Sequence, residues 1–487
     1  MRRTTSIIAA TLLGAALLTT PLAGAAEETC RGVAATIVGT GQRLVGTEGR
    51  DVMVTDRAEI IESLGGDDLI CVRGPGWNSN LVDVDAGAGN DVVDSTAMAR
   101  HYYLTAILGD GADTFVGGAG DETVLAGAAA GPDGEVPSEV ERDVIETGAG
   151  GDDVTSGGPG LPNDDSILTG SGDDYVTWSG TMGAQGMLDG GDGTDMLRPL
   201  ASGQTFTIDL SAQTITRDGV PTAAFSSFQA LSVKPEPGLG TVEIIGTDGV
   251  DPVDVSGAAI VHADLRGGDD HLRLFETVPG SRLDLGAGTD WVAVSSRDGS
   301  VDLDLSLGDL VVDGVFAAPL AGIEEAYVSA REVTLTGNDQ ANSLSASGCV
   351  AHVDGRGGKD YLDHGNYDFS TDTGYSCDRG RVTLRGGSGN DRVDGSKHAD
   401  LISGGPGNDQ VDAGPALQGK NRVWGGRGND QLVGGGDRDV LIGGAGSDRL
   451  DASRKADVLR GGKGKDGANG GPGRDLCRSE IRKSCER

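Results

Sequence analysis

Aromatic residues make up only 4% of this 487-residue chain. So few large side chains argue against a conventional core, which Phe, Tyr and Trp usually dominate. Histidine is also scarce: His101, His262, His271, His352, His364 and His398 are scattered, and none forms a metal-ligand pair at helical spacing. There is no HExxH, which argues against a zinc protease, and no GxSxG elbow for a serine hydrolase. The six cysteines include no CxxC, which disfavours a zinc or redox site. Beyond residue 26 no apolar run is long enough to span a bilayer. Basic residues are outnumbered, 39 against 75 acids, for a net charge of −36. Such a surface repels nucleic acid and attracts cations, although solubility alone also accounts for it.

Glycine, in contrast, is abundant: 84 residues, about 17% of the chain, against roughly 7% in ordinary proteins. Its spacing is periodic, which argues against a disordered linker, and the period of nine excludes collagen. Residues 1–26 read as a secretory signal, with Arg2 and Arg3 before the apolar stretch Ile7 to Leu18 and Ala23-Gly24-Ala25 as a cleavage site. A secreted chain with six cysteines is expected to form disulfides. Of the 15 possible connectivities, pairing of neighbours gives Cys30–Cys71, Cys349–Cys377 and Cys477–Cys485.

From Gly386 to Arg478 the chain divides into blocks of nine, ten in all, with Ala416-Leu417-Gln418 as three extra residues. Glycine at the first, second and fourth places permits a tight turn. The turn then presents carbonyls together with a sixth-place carboxylate, the hard oxygens that suit calcium. An aliphatic at the eighth place (Val393, Ile402, Val411, Val423, Leu432) points inward from a short strand. GGSGNDRVD (386–394), GGPGNDQVD (404–412), GGRGNDQLV (425–433) and GGAGSDRLD (443–451) closely resemble the RTX, or haemolysin-type, nonapeptide repeat GGxGxDxUx, with U aliphatic. The resemblance implies an all-β parallel β-roll or β-solenoid with short strands and Gly/Asp-rich calcium-binding turns. Two blocks would make one coil, and each Ca2+ would lie between turns on the same edge.

Alternate blocks keep the glycines. Those beginning at Gly386, Gly404, Gly425, Gly443 and Gly461 all read GGxGxD. The expectation is therefore a calcium ladder on one edge, through Asp391, Asp409, Asp430, Asp448 and Asp466, holding about four ions. The other edge carries Asp400, Asp439, Asp457 and Asp475, but four of its five blocks have lost the full motif. Its Lys397, Lys420, Arg438, Arg454 and Lys455 are expected to replace calcium by neutralising Asp400, Asp439 and Asp457, unless they are merely a solvated face. Each block buries too little apolar surface to offset the ordering of nine residues, so the roll is expected to need calcium to fold.

Upstream the turn recurs at looser spacing, in coils that look swollen. Sixth-place acids fall at Asp68, Asp91, Asp113, Asp152, Asp174 and Asp195, with one step of 39 among steps near 22. They resume at Asp251, Asp270 and Asp290, and the spacing extends the series to Asp309; Asp113 and Glu122 are nine apart. These, with Asp360, are weaker metal candidates, because ordinary Asx/Gly turns explain them as well. Residues 30–54 also resemble the start of secreted bacterial calcium-binding repeat proteins. Asp251-Pro252-Val253-Asp254 is similar to the DPHE of alginate epimerases, but its histidine is missing and GTDGVDPVD fits the nonapeptide better.

The organisation expected is a signal (1–26), an irregular acidic solenoid with degenerate calcium-type turns (27–199), and a degenerate solenoid or separate β module (200–345). A disulfide-bearing connector (346–385), the regular roll (386–478) and a cap (479–487) complete it. Charge divides unevenly: residues 386–478 sum to +1, and those before them to −38. Leu401, Trp424, Val440, Ile442, Val458 and Leu476 should face outward and form an apolar strip, for packing or a partner. The function expected is a secreted calcium-binding repeat protein, structural or adhesive and without enzymatic activity. Two alternatives are a carbohydrate-active enzyme on the upstream solenoid and a calcium-dependent module that binds a protein or polysaccharide.

Overall fold

The computed structural model describes residues 28–485, apart from 40, 56, 75–79, 128–139, 159, 297–298, 366–379 and 415–418. Short strands alternate between two faces, and each pairs in parallel with the strand one coil later. In the roll, Gln431–Val433 pairs with Arg449–Asp451 on the first face, and Val440–Ala445 with Val458–Lys463 on the second. The result is an all-β parallel solenoid of about 20 coils. The eighth-place aliphatics form its core: Val393, Val411, Leu432 and Leu450 stack under the first face, Ile402, Val423, Leu441 and Leu459 under the second, all buried. Upstream the coils are longer, and larger side chains fill them, including Phe115, Trp178 and Phe206. No helix among the described residues is long and apolar enough to cross a membrane.

The first face runs without interruption from Arg43–Val45 to Ile481–Lys483. The second face is stitched from three sheets, and the joins lie within residues 200–345. There, antiparallel hairpins interrupt the solenoid twice. Thr205–Asp209, Thr214–Arg217 and Val220–Ala224 form one three-stranded meander, and Ser300–Asp304, Asp309–Val312 and Val315–Ala321 form the other. Laid 95 residues apart, the two segments match in sequence: Asp209-Leu210-Ser211 over Asp304-Leu305-Ser306, and Asp218-Gly219-Val220 over Asp313-Gly314-Val315. The Asp-Gly pairs sit at positive φ (52° and 76°, then 54° and 74°), the geometry that two-residue hairpin turns require. Asp209 and Asp304 each cap the turn that follows them, accepting from Ala212 N–H at 2.8 Å and Leu307 N–H at 3.0 Å. The acidic middle region thus contains an internal duplication that the nine-residue period conceals.

Side chains at alternate strand positions face outward in columns. On the second face of the roll one column runs Thr383, Leu401, Arg422, Val440, Val458, Leu476 and its neighbour runs Arg385, Ser403, Trp424, Ile442, Arg460, Arg478. The expected apolar strip is therefore present, half-buried or exposed, and threaded with arginines.

Cys30–Cys71 and Cys477–Cys485 are disulfides with Cα separations of 5.5 and 5.8 Å. Cys349 is also disulfide-bonded; the expected partner Cys377 and the insertion Ala416-Leu417-Gln418 lie outside the described residues. After Cys477 one more strand, Ile481–Lys483, pairs with Gly467–Asn469 and covers the last coil of the first face.

Candidate calcium sites

Every sixth-place acid ends a turn, just before a strand. In most, its backbone N–H donates to a side-chain oxygen of the equivalent residue one coil later, usually a carboxylate. Along the first edge the N–H groups of Asp360, Asp391, Asp409, Asp430 and Asp448 donate to Oδ1 of Asp391, Asp409, Asp430, Asp448 and Asp466 at 2.9–3.0 Å. Asn342 N–H donates to Asp360, and Asp466 N–H to Oε2 of Glu480 at 3.0 Å. Each carboxylate is thus a rung that serves the coil before it, and Glu480 supplies the last.

The upstream acids form the same rungs, but not in one series. Asp51, Asp68, Asp91, Asp113, Asp143 and Asp165 run along the second edge, each N–H bonded to the next Oδ1 at 2.7–2.8 Å. Glu122, Asp152, Asp174 and Asp195 run along the first edge and end on Oε1 of Gln229. The step of 39 from Asp113 to Asp152 is therefore a change of edge, and Asp113 and Glu122 lie on opposite edges of one coil. Asp251, Asp270 and Asp290 resume the first edge. The series does not extend to Asp309, as its spacing suggested: Asp309 begins a hairpin strand and pairs with Asp304. Glu324 takes the rung after Asp290 at 3.1 Å. Gln229 and Glu324 occupy matching places in the duplication, and each lies just after an inserted hairpin.

The sequence reading missed Asp51, Asp143 and Asp165, the amide rungs Gln229 and Asn421, Asn342 at the same turn position, and the glutamates Glu324 and Glu480. Asn421 was findable, since removing the three extra residues puts it sixth in its block.

The second oxygen of these acids distinguishes two kinds of turn. In the roll, Oδ2 of Asp391, Asp409, Asp430, Asp448 and Asp466 is buried without a hydrogen-bond partner. So is Oδ2 of Asp439, Asp457 and Asp475 on the second edge, and upstream that of Asp91, Asp113, Asp195, Asp270, Asp290 and Asp360. Asp68 and Asp174 are alike in this, the nearby hydroxyls of Ser63 and Thr169 being donated to carbonyls.

The first-place glycine makes room for this oxygen. A Cβ on Gly425 would lie 2.3 Å from Asp430 Oδ2 and 2.6 Å from the carbonyl oxygen of Gly443, one coil on; Gly386, Gly404, Gly443 and Gly461 are equally tight. The niche is lined with oxygen from two successive coils. Second- and fourth-place glycines hold positive φ, as at Gly426 (125°) and Gly428 (126°).

At Asp51, Asp251 and Asp400 the second place is instead Thr47, Thr247 or Ser396. The residue's amide donates to Oδ2 at 2.6–2.7 Å, and its hydroxyl also bonds the carboxylate. These turns have no residue at positive φ and leave no bare oxygen.

The expectation that the second-edge cations neutralise Asp400, Asp439 and Asp457 is not met. Among the described residues none of Lys397, Lys420, Arg438, Arg454 or Lys455 forms an ion pair with them. Those side chains point to solvent while the carboxylates are buried at 1–2% exposure. The second edge also keeps its rungs, Asp400 to Asn421, Asp439, Asp457 and Asp475. Even the block that lost its glycines retains the turn, with Ser453 and Lys455 at φ 68° and 81°.

Burial raises the acids toward neutrality: Asp409 and Asp439 are pushed up to about 7 and Asp430 and Asp457 to about 6, the charges of adjacent rungs adding to the effect. An uncompensated buried carboxylate costs several kcal/mol. Six such carboxylates, Asp391, Asp409, Asp430 and Asp448 on the first edge and Asp439 and Asp457 on the second, would together exceed the roughly 5–15 kcal/mol by which a domain is stable. The folded roll therefore requires protons or cations along both edges. Calcium fits, because it takes carboxylate and carbonyl oxygens in flexible number. No three His, Cys, Asp or Glu side chains converge among the described residues, so two rungs would share an ion with turn carbonyls.

A family model described as the RTX calcium-binding nonapeptide repeat matches four times, at residues 105–130, 383–414, 416–450 and 442–477. The chain carries RTX calcium-binding repeats. The first match brackets Asp113 and Glu122, so repeats of this type exist outside the regular roll. No curated protein matches the chain significantly.

Proposed function

We propose that this RTX-repeat chain is a secreted scaffold without enzymatic activity, stapled into one continuous solenoid by extracellular calcium. The observation that carries this reading is the row of bare, buried carboxylate oxygens beside turn carbonyls. Calcium supplies the positive charge that the folded turns lack, and the rungs hold successive coils in register around it. Extracellular calcium modules bind at ~10⁻⁴–10⁻³ M, so the solenoid orders outside the cell and loosens where calcium is low. The apparent signal at residues 1–26 and the disulfides agree with that setting.

Calcium occupies glycine turns on both edges of the roll and the equivalent turns upstream. The turns of Asp51, Asp251 and Asp400 are metal-free, since a hydroxyl and an amide take the place of the ion. The carboxylates of the Asp251-Pro252-Val253-Asp254 stretch have structural partners, which supports this reading: Asp251 accepts from Thr247 N–H, and Asp254 is paired with Arg273 at 3.5 Å. The role that follows is mechanical, a long ordered surface for interaction. The test is calorimetric titration of the chelator-stripped full chain with calcium, followed by circular dichroism. Binding of several ions per chain with a cooperative gain of β structure is expected. Absence of binding, or a β signal indifferent to calcium, overturns the reading.

A further inference from the structure

The near-neutral charge of the roll conceals a basic surface. Of its 13 acids nine are rungs and buried, whereas its 14 Lys and Arg residues lie outside the core. On the outer second face, from Arg381–Arg385 to Leu476–Arg478, no acid points outward; the only one in those strands, Asp400, is an inward rung. Arg422, Arg438, Arg460 and Arg478 are exposed around Trp424, Val440, Ile442 and Val458. An aromatic and aliphatic centre with an arginine surround is the composition of a protein interface. A free polyanion would leave the aliphatic strip unused.

The opposite end of the solenoid carries the complementary surface. On the outer first face the strands Ile60–Glu62, Leu81–Asp85, Tyr103–Ile107, Asp121–Leu125 and Asp153–Ser156 contain no Lys or Arg. Asp83, Asp85 and Asp153 are exposed there beside Ile60 (40%) and Tyr103 (52%), with Ile107 and Leu125 half-buried. Both surfaces are parallel sheets with the same strand spacing, ~4.8 Å, so columns of carboxylate and guanidinium can meet in step. Within one chain they cannot meet, because they lie on opposite faces with many coils between them.

We propose that the chain associates head to tail with further copies of itself, the basic outer face of one roll lying on the acidic first coils of the next. The two surfaces face in opposite directions, so one partner cannot cover both. The contact is heterologous, and assembly is open-ended instead of closing as a dimer. Each contact covers on the order of 400 Å² per partner, from strand number and spacing. That is the weak end of the specific range, and the association is accordingly concentration-dependent and sensitive to salt.

Sedimentation velocity of the full chain in calcium tests this, with circular dichroism on the same samples to show that the roll is folded. Association is expected to rise between ~1 and ~100 µM and to vanish in ~0.5 M NaCl. Arg422→Glu with Arg460→Glu breaks one surface, and Asp83→Lys with Asp85→Lys breaks the other. Each double variant should be monomeric alone, and their mixture should give a 1:1 pair and nothing larger. A folded wild-type chain that stays monomeric at low salt overturns the proposal. So does association that survives reversal of the acidic surface, which would mean that the basic face takes another occupant. Because folding is read separately, neither result is confused with a failure to bind calcium.

Discussion

The turns ending at Asp400 and Asp430 lie three blocks and an insertion apart in the same roll, yet they solve one electrostatic problem differently. At Asp400 the chain satisfies its own carboxylate, through the amide and hydroxyl of Ser396. At Asp430 two residues turn to positive φ and one oxygen is left bare, although the first-place glycine is crowded by the carboxylate in both turns. A second-place residue whose amide and hydroxyl both reach the carboxylate makes the turn self-sufficient; one at positive φ, usually glycine but Ser453 before Asp457, leaves the oxygen bare and dependent on something from solution. The same contrast separates Asp51 and Asp251 from most upstream rungs, so it belongs to the turn and not to the region.

The strongest challenge to this contrast is removal of metal. Because glycine turns outnumber hydroxyl turns, excess chelator should lower the melting temperature of the full chain by ~10 °C or more, as read by calorimetry. A melting temperature indifferent to chelator would mean that the two turn types are equivalent.

Single rungs sharpen it. Asn421 Oδ1 and Gln229 Oε1 show that an amide oxygen can hold the rung, so Asp→Asn removes charge and keeps the ladder. Asp430→Asn should weaken calcium binding at its site by about tenfold or more, through loss of ligand charge. Asp400→Asn should leave calcium binding unchanged. Asp439→Asn should behave like Asp430→Asn; if it behaves like Asp400→Asn, calcium is confined to the first edge, as the glycine pattern first suggested.

Proton competition is a smaller effect. A carboxylate whose folded pKa is raised favours folding when protonated, so its contribution is full below the ordinary carboxylate range and is lost as pH rises through the folded value. With Asp409 and Asp439 at about 7, the chelated chain should melt at progressively lower temperature from pH 5 to pH 8. Saturating calcium should flatten or reverse that slope, and equal slopes with and without calcium would contradict the assignment.

The smallest effect concerns Ser453 and Lys455, which hold positive φ without glycine. Ser453→Gly or Lys455→Gly should stabilise the chain by about 1 kcal/mol, the cost of a left-handed L residue, measured by denaturant unfolding in calcium.

Much of this was legible in the sequence. The period of nine gave the strands, the eighth-place aliphatics gave the core, and each of the weaker candidates from Asp68 to Asp360 occupies a rung. What stayed hidden has physical causes. Edge assignment depends on the parity of strands, and a 39-residue step does not reveal which edge it reaches. The hairpins at 205–224 and 300–321 interrupt the period, so Gln229 and Glu324 fall outside any nonapeptide frame. The idea that basic residues neutralise the second edge failed because sixth-place side chains point inward while those of the turn point to water.

The rungs also have a direction. Each coil takes its acceptor from the coil that follows, and the last acceptor, Glu480, comes from beyond the repeats. Such a stack has a closed end and an open one, like a zipper whose stop is sewn at the C-terminus. A chain made or exported N-terminus first always carries one unanswered amide at its growing edge. On the first edge of the roll Glu480 answers it, so that edge is completed last, at the end where it is anchored.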